Sequence, residues 1–125
     1  MAEIVADYRD LRVFKLSMRA SMEVFSLSKR YPSDEKYSLT DQLRRSSRSI
    51  CANIAEAWKK GKYEKSFLFT LTIADAEAAE TRVWLEYSYR CGYLSKVDYE
   101  ALDSQYDIIS AMLFKMIRDS DKWTF

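Results

Sequence analysis

Apolar residues recur along this chain at alternating spacings of three and four. That rhythm breaks hard at only three places: Pro32, Gly61 and Gly92, which are the one proline and the two glycines of the sequence. The breaks cut the chain into four pieces, and each has helical periodicity. No run of alternating β-branched residues bounded by turns reads as a strand. The spacing predicts helices over about 10–30, 39–60, 63–91 and 96–122.

In the first helix Leu11, Phe14, Met18, Met22 and Phe25 form one stripe, and Val13, Leu16, Ala20, Val24 and Leu27 form another nearly opposite. One polar arc between them holds Arg12, Lys15, Arg19, Glu23 and Arg30. The other is a serine arc of Ser17, Ser21 and Ser28. The second helix has Leu43, Ser47, Ile50, Ile54, Ala57 and Trp58 on its core side. Arg44 and Arg48 project together, one turn apart, and a small or polar strip carries Ser46, Ser49, Asn53, Glu56 and Lys60. In the third helix Phe67, Leu71, Ala74, Ala78, Thr81, Leu85 and Ser88 follow bundle spacing, while Phe69, Ile73, Ala76, Val83 and Tyr87 lie on another face. The fourth helix has Leu102, Tyr106, Ile109, Leu113 and Met116 inside, with Asp103, Asp107, Lys115, Arg118 and Asp119 read as solvated.

Ser38 with Asp41, and Ser95 with Asp98, resemble N-caps. Gly61 stands where a left-handed helix cap would sit. Trp123-Thr124-Phe125 is a tail that is either docked or frayed. Helices of roughly 30 to 43 Å joined by short connections must run antiparallel. The expected fold is therefore all-α, a single domain over 1–125 built as an up-down-up-down four-helix bundle. The first and third helices each carry more apolar surface than one neighbour covers, which leads to an expected homo-oligomer.

Composition narrows the chemistry. The chain has 125 residues, 48% hydrophobic and 31% charged, with net charge +1, so global charge favours no partner. It has no histidine, which removes imidazole catalysis and histidine-bound metal. Cys51 and Cys91 lie far apart within helical patterns and read as reduced thiols, not as a disulfide or metal site. The first residues lack a signal-peptide pattern and no apolar run suits a membrane span, so a cytoplasmic protein without membrane contact is expected. No cofactor, metal or enzymatic activity is expected: no nucleophile with its base and no phosphate-binding loop is visible. Asp75, Glu77, Glu80 and Glu86 lack the partners a di-iron bundle needs. Glu80 falls in an otherwise apolar series, which suggests a buried pairing with an arginine.

Charge is locally uneven. Between Leu39 and Lys65 seven basic residues (Arg44, Arg45, Arg48, Lys59, Lys60, Lys62 and Lys65) face three acidic ones, a local +4. Phosphate binding needs such a cluster, because each neutralised phosphate releases counterions. A solvated helix face with dipole-complementing lysines has the same composition. The arginines and lysines also sit at opposite ends of their helix. Asn53, the lone asparagine, reads as a structural polar group with Ser49 and Glu56, one that bonds another helix to set register or subunit pairing.

The run Arg44-Arg45 followed by Ser49-Ile50-Cys51-Ala52-Asn53-Ile54-Ala55-Glu56 resembles the signature of a known family. So do Asp10-Leu11-Arg12-Val13-Phe14, Tyr31-Pro32, Ile73-Ala74 with Glu77, and Gly92-Tyr93-Leu94-Ser95. The family is the bacterial four-helix bundle proteins first noticed as products of intervening sequences in large-subunit ribosomal RNA genes, and often labelled ribosomal proteins. The resemblance implies a homo-oligomer, a ring of five, without enzymatic activity. It also implies kinship with accessory variability proteins of diversity-generating retroelements, similar bundles that bind reverse transcriptase and nucleic acid. Ala57 stands where glycine usually follows Ala-Glu, and Cys51 replaces a common proline. Two functions stay open: binding of RNA or DNA backbone through the basic patch, or docking of a polymerase-like protein through the apolar faces.

Overall fold

Seven side chains of one long helix vanish from solvent together: Phe67, Leu71, Ala74, Ala78, Thr81, Leu85 and Ser88 are all at most 2% exposed. They are the predicted inner stripe of the third helix, and the rest of the molecule is assembled on it. The computed structural model describes residues 5–122. It contains α1 (Arg12–Ser28), α2 (Leu39–Lys59), α3 (Glu64–Arg90) and α4 (Lys96–Arg118), with single 3-10 turns at Tyr8–Asp10, Ser33–Glu35 and Ser120–Lys122. Among the described residues every regular element is helical. Consecutive helices pack side by side and α4 closes against α1, so the four form an antiparallel bundle. Trp123, Thr124 and Phe125 lie outside the described residues.

The predicted stripe of α4 is buried throughout. Ala74 and Ala78 of α3 are fully buried and let neighbours approach that face closely, whereas Ala76 and Ala79 are exposed. Where α2 meets α3, Thr81 Oγ1 donates to Ser46 Oγ at 2.9 Å, and Ser46 Oγ lies 3.3 Å from the Leu43 carbonyl. Ser46 lies on the small or polar strip of α2 read from the spacing, and Thr81 in the inner stripe of α3.

The serine arc of α1 and Asp103 differ from the sequence expectation, while the partly bare second stripes of α1 and α3 follow it. The serine arc of α1 faces inward: Ser17, Ser21 and Ser28 are buried. Ser21 and Ser28 turn their hydroxyls onto the carbonyls of Met18 and Phe25, at 2.9 and 3.1 Å. A serine that satisfies its own proton on the preceding turn is small enough to pack as core. Of the two apolar stripes of α1, Val13, Ala20 and Val24 are buried, whereas Met22 is 55% exposed and Met18 is exposed as well. On α3, Phe69 is 68% exposed, and Val83 and Tyr87 are exposed too. The protomer therefore covers one stripe on each helix and leaves the other partly bare. Asp103 is not free in solvent: it takes two bonds from the Arg82 guanidinium, at 2.8 and 3.0 Å, tying α3 to α4. That carboxylate holds the Arg82 pKa above its usual value.

The helix ends divide as well. Ser95 caps α4, accepting from the Asp98 amide at 3.0 Å. Ser38 does not cap α2: its hydroxyl donates to Glu35 at 2.6 Å, and the Tyr93 phenol donates to the same carboxylate at 2.9 Å. Those two donors, Ser38 first, hold the Glu35 carboxyl below its ordinary pKa and fasten the α1–α2 connection to the far end of α3. Gly92 adopts φ +82° and terminates α3 with bonds from the Tyr93 amide to the Ser88 carbonyl and from the Gly92 amide to the Tyr89 carbonyl, a Schellman motif. Gly61 does not enter the left-handed region. There α2 tightens instead, with the Gly61 amide bonding the Trp58 carbonyl at 3.1 Å.

The two thiols fare differently. Cys51 is buried and Cys91 exposed. Burial pushes the Cys51 pKa up from 9.0 to about 11, against a weaker opposing pull from the Ser21 hydroxyl. The folded chain thus holds this proton more tightly than the unfolded chain. Its contribution to stability is full below the ordinary thiol range and declines as pH climbs from about 9 toward about 11. At pH 8 a maleimide should modify one equivalent of thiol rapidly, at Cys91. The second should react only upon denaturation. Two fast equivalents in mass spectra of the native protein contradict this assignment.

Candidate nucleic-acid interface

The seven basic residues of the α2 segment do not behave as one group. Arg44 and Arg48, one turn apart on α2, both reach back to α1. Their guanidinium carbons lie 4.8 and 5.6 Å from the centre of the Phe25 ring. Lys29 Nζ approaches the same ring at 4.7 Å. Arg44 Nε also donates to Ser28 Oγ at 2.8 Å. The Ser28 proton is engaged by the Phe25 carbonyl, so its lone pair is left to accept. An aromatic face attracts cations through its quadrupole without neutralising them. Among the described residues no carboxylate lies within ion-pairing distance of Arg44, Arg48 or Lys29. Three positive charges are therefore oriented around one ring and keep their full charge.

Arg45 points elsewhere. It meets Glu80 at 2.5 Å and Glu77 at 3.7 Å on α3, and two of its nitrogens lie 3.3 Å from the Gln42 side-chain oxygen. The expected arginine partner of Glu80 is present, but the pair is partly open to solvent, with side-chain exposures of 49% and 36%. Lys60 is likewise engaged, by Glu56 at 3.0 Å. Lys59, Lys62 and Lys65 are exposed at the opposite end of α2, Lys62 over the Tyr63 ring at 5.6 Å. Fifteen residues of helix, roughly 22 Å, separate Arg44 from Lys59. Within one protomer the arginines and lysines are two surfaces.

Asn53 does not cross to another helix. Its amide donates to the Ser49 carbonyl at 2.8 Å and to the Ser49 hydroxyl at 3.0 Å, one turn back on α2. Within the protomer the expected helix-to-helix bond is absent, and the amide satisfies itself on its own preceding turn. The buried Ser46–Thr81 bond takes the register-setting place instead.

Beside the arginine pair lies a depression of about 520 Å³, lined by Lys36, Tyr37, Thr40, Asp41 and the three arginines of α2. Lys36, Tyr37 and Thr40 were not among the expected site residues. Thr40 stands one turn ahead of Arg44 on α2, a readable signal, whereas Lys36 and Tyr37 lie in the turn before the helix and carry no helical spacing. A larger hollow of about 870 Å³ opens at the other end of the bundle, between Leu11, Val13, Trp58, Met112 and Met116. It gathers none of the seven predicted basic residues. No group of metal-ligating side chains assembles among the described residues, and among them no helix is long and apolar enough to cross a membrane.

An all-helical bundle with its unneutralised arginines at one end defines a class of small helical bundle proteins carrying a local cationic surface. Within that class the chain belongs to the 23S rRNA-intervening sequence protein family, whose profile matches residues 9–115. It is similar to the crystal structure of a protein with unknown function from the S23 ribosomal protein family of Bacteroides thetaiotaomicron. That likeness has a TM-score of 0.77 and 31% identity, and covers 85% of this chain and 95% of the other. No curated protein matches the chain.

Proposed function

We propose that this chain is a non-enzymatic, homo-oligomeric, cytoplasmic bundle that binds the backbone of RNA or DNA through the arginine end of α2. The observation that carries this reading is the Phe25 platform: Arg44 and Arg48 are oriented by a ring and a serine and are not neutralised by a carboxylate. Guanidinium groups held this way are ready for bidentate phosphate contacts. Arg45 and Lys60 contribute less, because each is already paired. Lys59, Lys62 and Lys65 join the same surface only if another protomer brings its lysine end alongside. A ring of five would pool weak patches into an avid one. A filter-binding salt titration with a structured RNA tests the reading, which predicts affinity falling steeply with salt. Absence of binding at low salt rejects it.

Assembly is supported by the bare second stripes, with Met22 on α1 and Phe69, Val83 and Tyr87 on α3. Sedimentation equilibrium at micromolar concentration should find a multiple of the 14.7 kDa chain. A monomer there removes the oligomer from the proposal. The same α3 face favours a second reading, a scaffold that docks a polymerase-like protein without touching nucleic acid. Pull-downs with and without nuclease separate the two.

A further inference from the structure

We infer that the depression at the start of α2 takes an unpaired nucleotide, so that the protein prefers single-stranded over duplex RNA; this rests on the proposed backbone contacts of Arg44 and Arg48. Three observations converge on that hollow. Tyr37 is 85% exposed, the most exposed large hydrophobic side chain among the described residues. Its ring lies on the lip of the depression with Lys36 Nζ 5.3 Å from its centre. Lys36, Arg44 and Arg48 line the hollow with Asp41 and with Arg45, which Glu77 and Glu80 already hold, and the net positive balance suits a polyanion. Thr40, only 6% exposed, also lines it, and its hydroxyl has no hydrogen-bond partner in the protein. A buried hydroxyl without a partner is unfavourable, and rotation about the Thr40 Cα–Cβ bond toward a ligand's polar atom would relieve it.

The spacing gives the ligand its form. Thr40, Arg44 and Arg48 follow one another at four-residue intervals on one side of α2, and Tyr37, in the turn just before the helix, lines the same hollow, so an aromatic face adjoins a hydroxyl and two guanidiniums. A phosphodiester chain following the arginines would set the adjoining base beside the Tyr37 ring. Every base has a π-face, so such stacking is tolerant of sequence. In a duplex those faces are already stacked inside, and the A-form major groove is too deep and narrow for a side chain to enter. Duplex RNA therefore offers the arginines its phosphates but offers Tyr37 nothing.

The test uses the full chain and two fluorescent probes of equal length, an unstructured 20-nucleotide RNA and the same sequence annealed to its complement, followed by anisotropy at low salt. Single-stranded RNA should bind about tenfold more tightly than the duplex. Tyr37→Ala should weaken single-strand binding by about tenfold and leave duplex binding within about twofold, and Tyr37→Phe should restore it. Tyr37 supports no core contact, so the variant should keep its melting temperature. Arg44→Ala with Arg48→Ala should weaken both probes. Equal affinity for the two probes, or single-strand binding indifferent to Tyr37→Ala, overturns this inference and leaves the backbone reading standing. Absence of binding to either probe overturns both.

Discussion

Replacing Arg44 and Arg48 together by alanine is expected to lower affinity for structured RNA by roughly 10- to 100-fold at about 0.1 M salt. The slope of log K against log salt should also flatten by about 2. The size follows from counterion release, in which each lost phosphate contact removes a salt-dependent factor whatever the sequence bound. The structure adds a ranking that charge alone does not supply. Arg45→Ala removes the same formal charge but should cost less than about threefold, because Glu77 and Glu80 already hold that guanidinium. Phe25→Leu alters no charge yet removes the ring beneath both active guanidiniums, and should fall between the two. Equal losses for Arg44→Ala and Arg45→Ala contradict the platform as the source of binding.

The second large effect belongs to the core. Phe67→Ala is expected to destabilise the protein by about 3–5 kcal/mol, a large share of the roughly 5–15 kcal/mol typical of a domain. At this chain length that lowers the melting temperature by roughly 10–20 °C, read by circular dichroism at fixed protein concentration. Phe67 is fully buried and begins the stripe of α3 on which the other helices pack. Phe69, two positions along, is exposed in the protomer, so Phe69→Ala should stay within about 0.5 kcal/mol when measured dilute. A cost for Phe69→Ala that grows with protein concentration locates a subunit contact on that face. A Phe67→Ala loss below about 1 kcal/mol contradicts the core assignment.

Much of this architecture is legible in the order of residues. The inner stripes of α3 and α4 follow from spacing because large apolar side chains have one favourable place to go. The serines of α1 mislead because a hydroxyl can bond its own preceding turn, and Ser28 then presents a lone pair to Arg44. The division of the basic segment is hidden for another reason. What silences Arg45 is a pair of glutamates some 35 residues away, and what orients Arg44 is a phenylalanine nearly 20 residues earlier. Such relations arise only when helices meet, so local charge counting weighs all seven cations alike. Tyr37 carries no readable signal because it sits in the turn before α2, outside the helical periodicity.

The hydroxyl link between Ser46 and Thr81 has a mechanical consequence. A slide of one turn along the α2–α3 seam, about 5.4 Å, would break this link and leave each hydroxyl only the carbonyl of its own preceding turn. Helices α2 and α3 are keyed to one another at this point, and Arg44 and Arg48 tie α2 to α1 as well, through Phe25 and Ser28. The α1–α4 seam is the most sparsely packed of the four, and so the least tightly held.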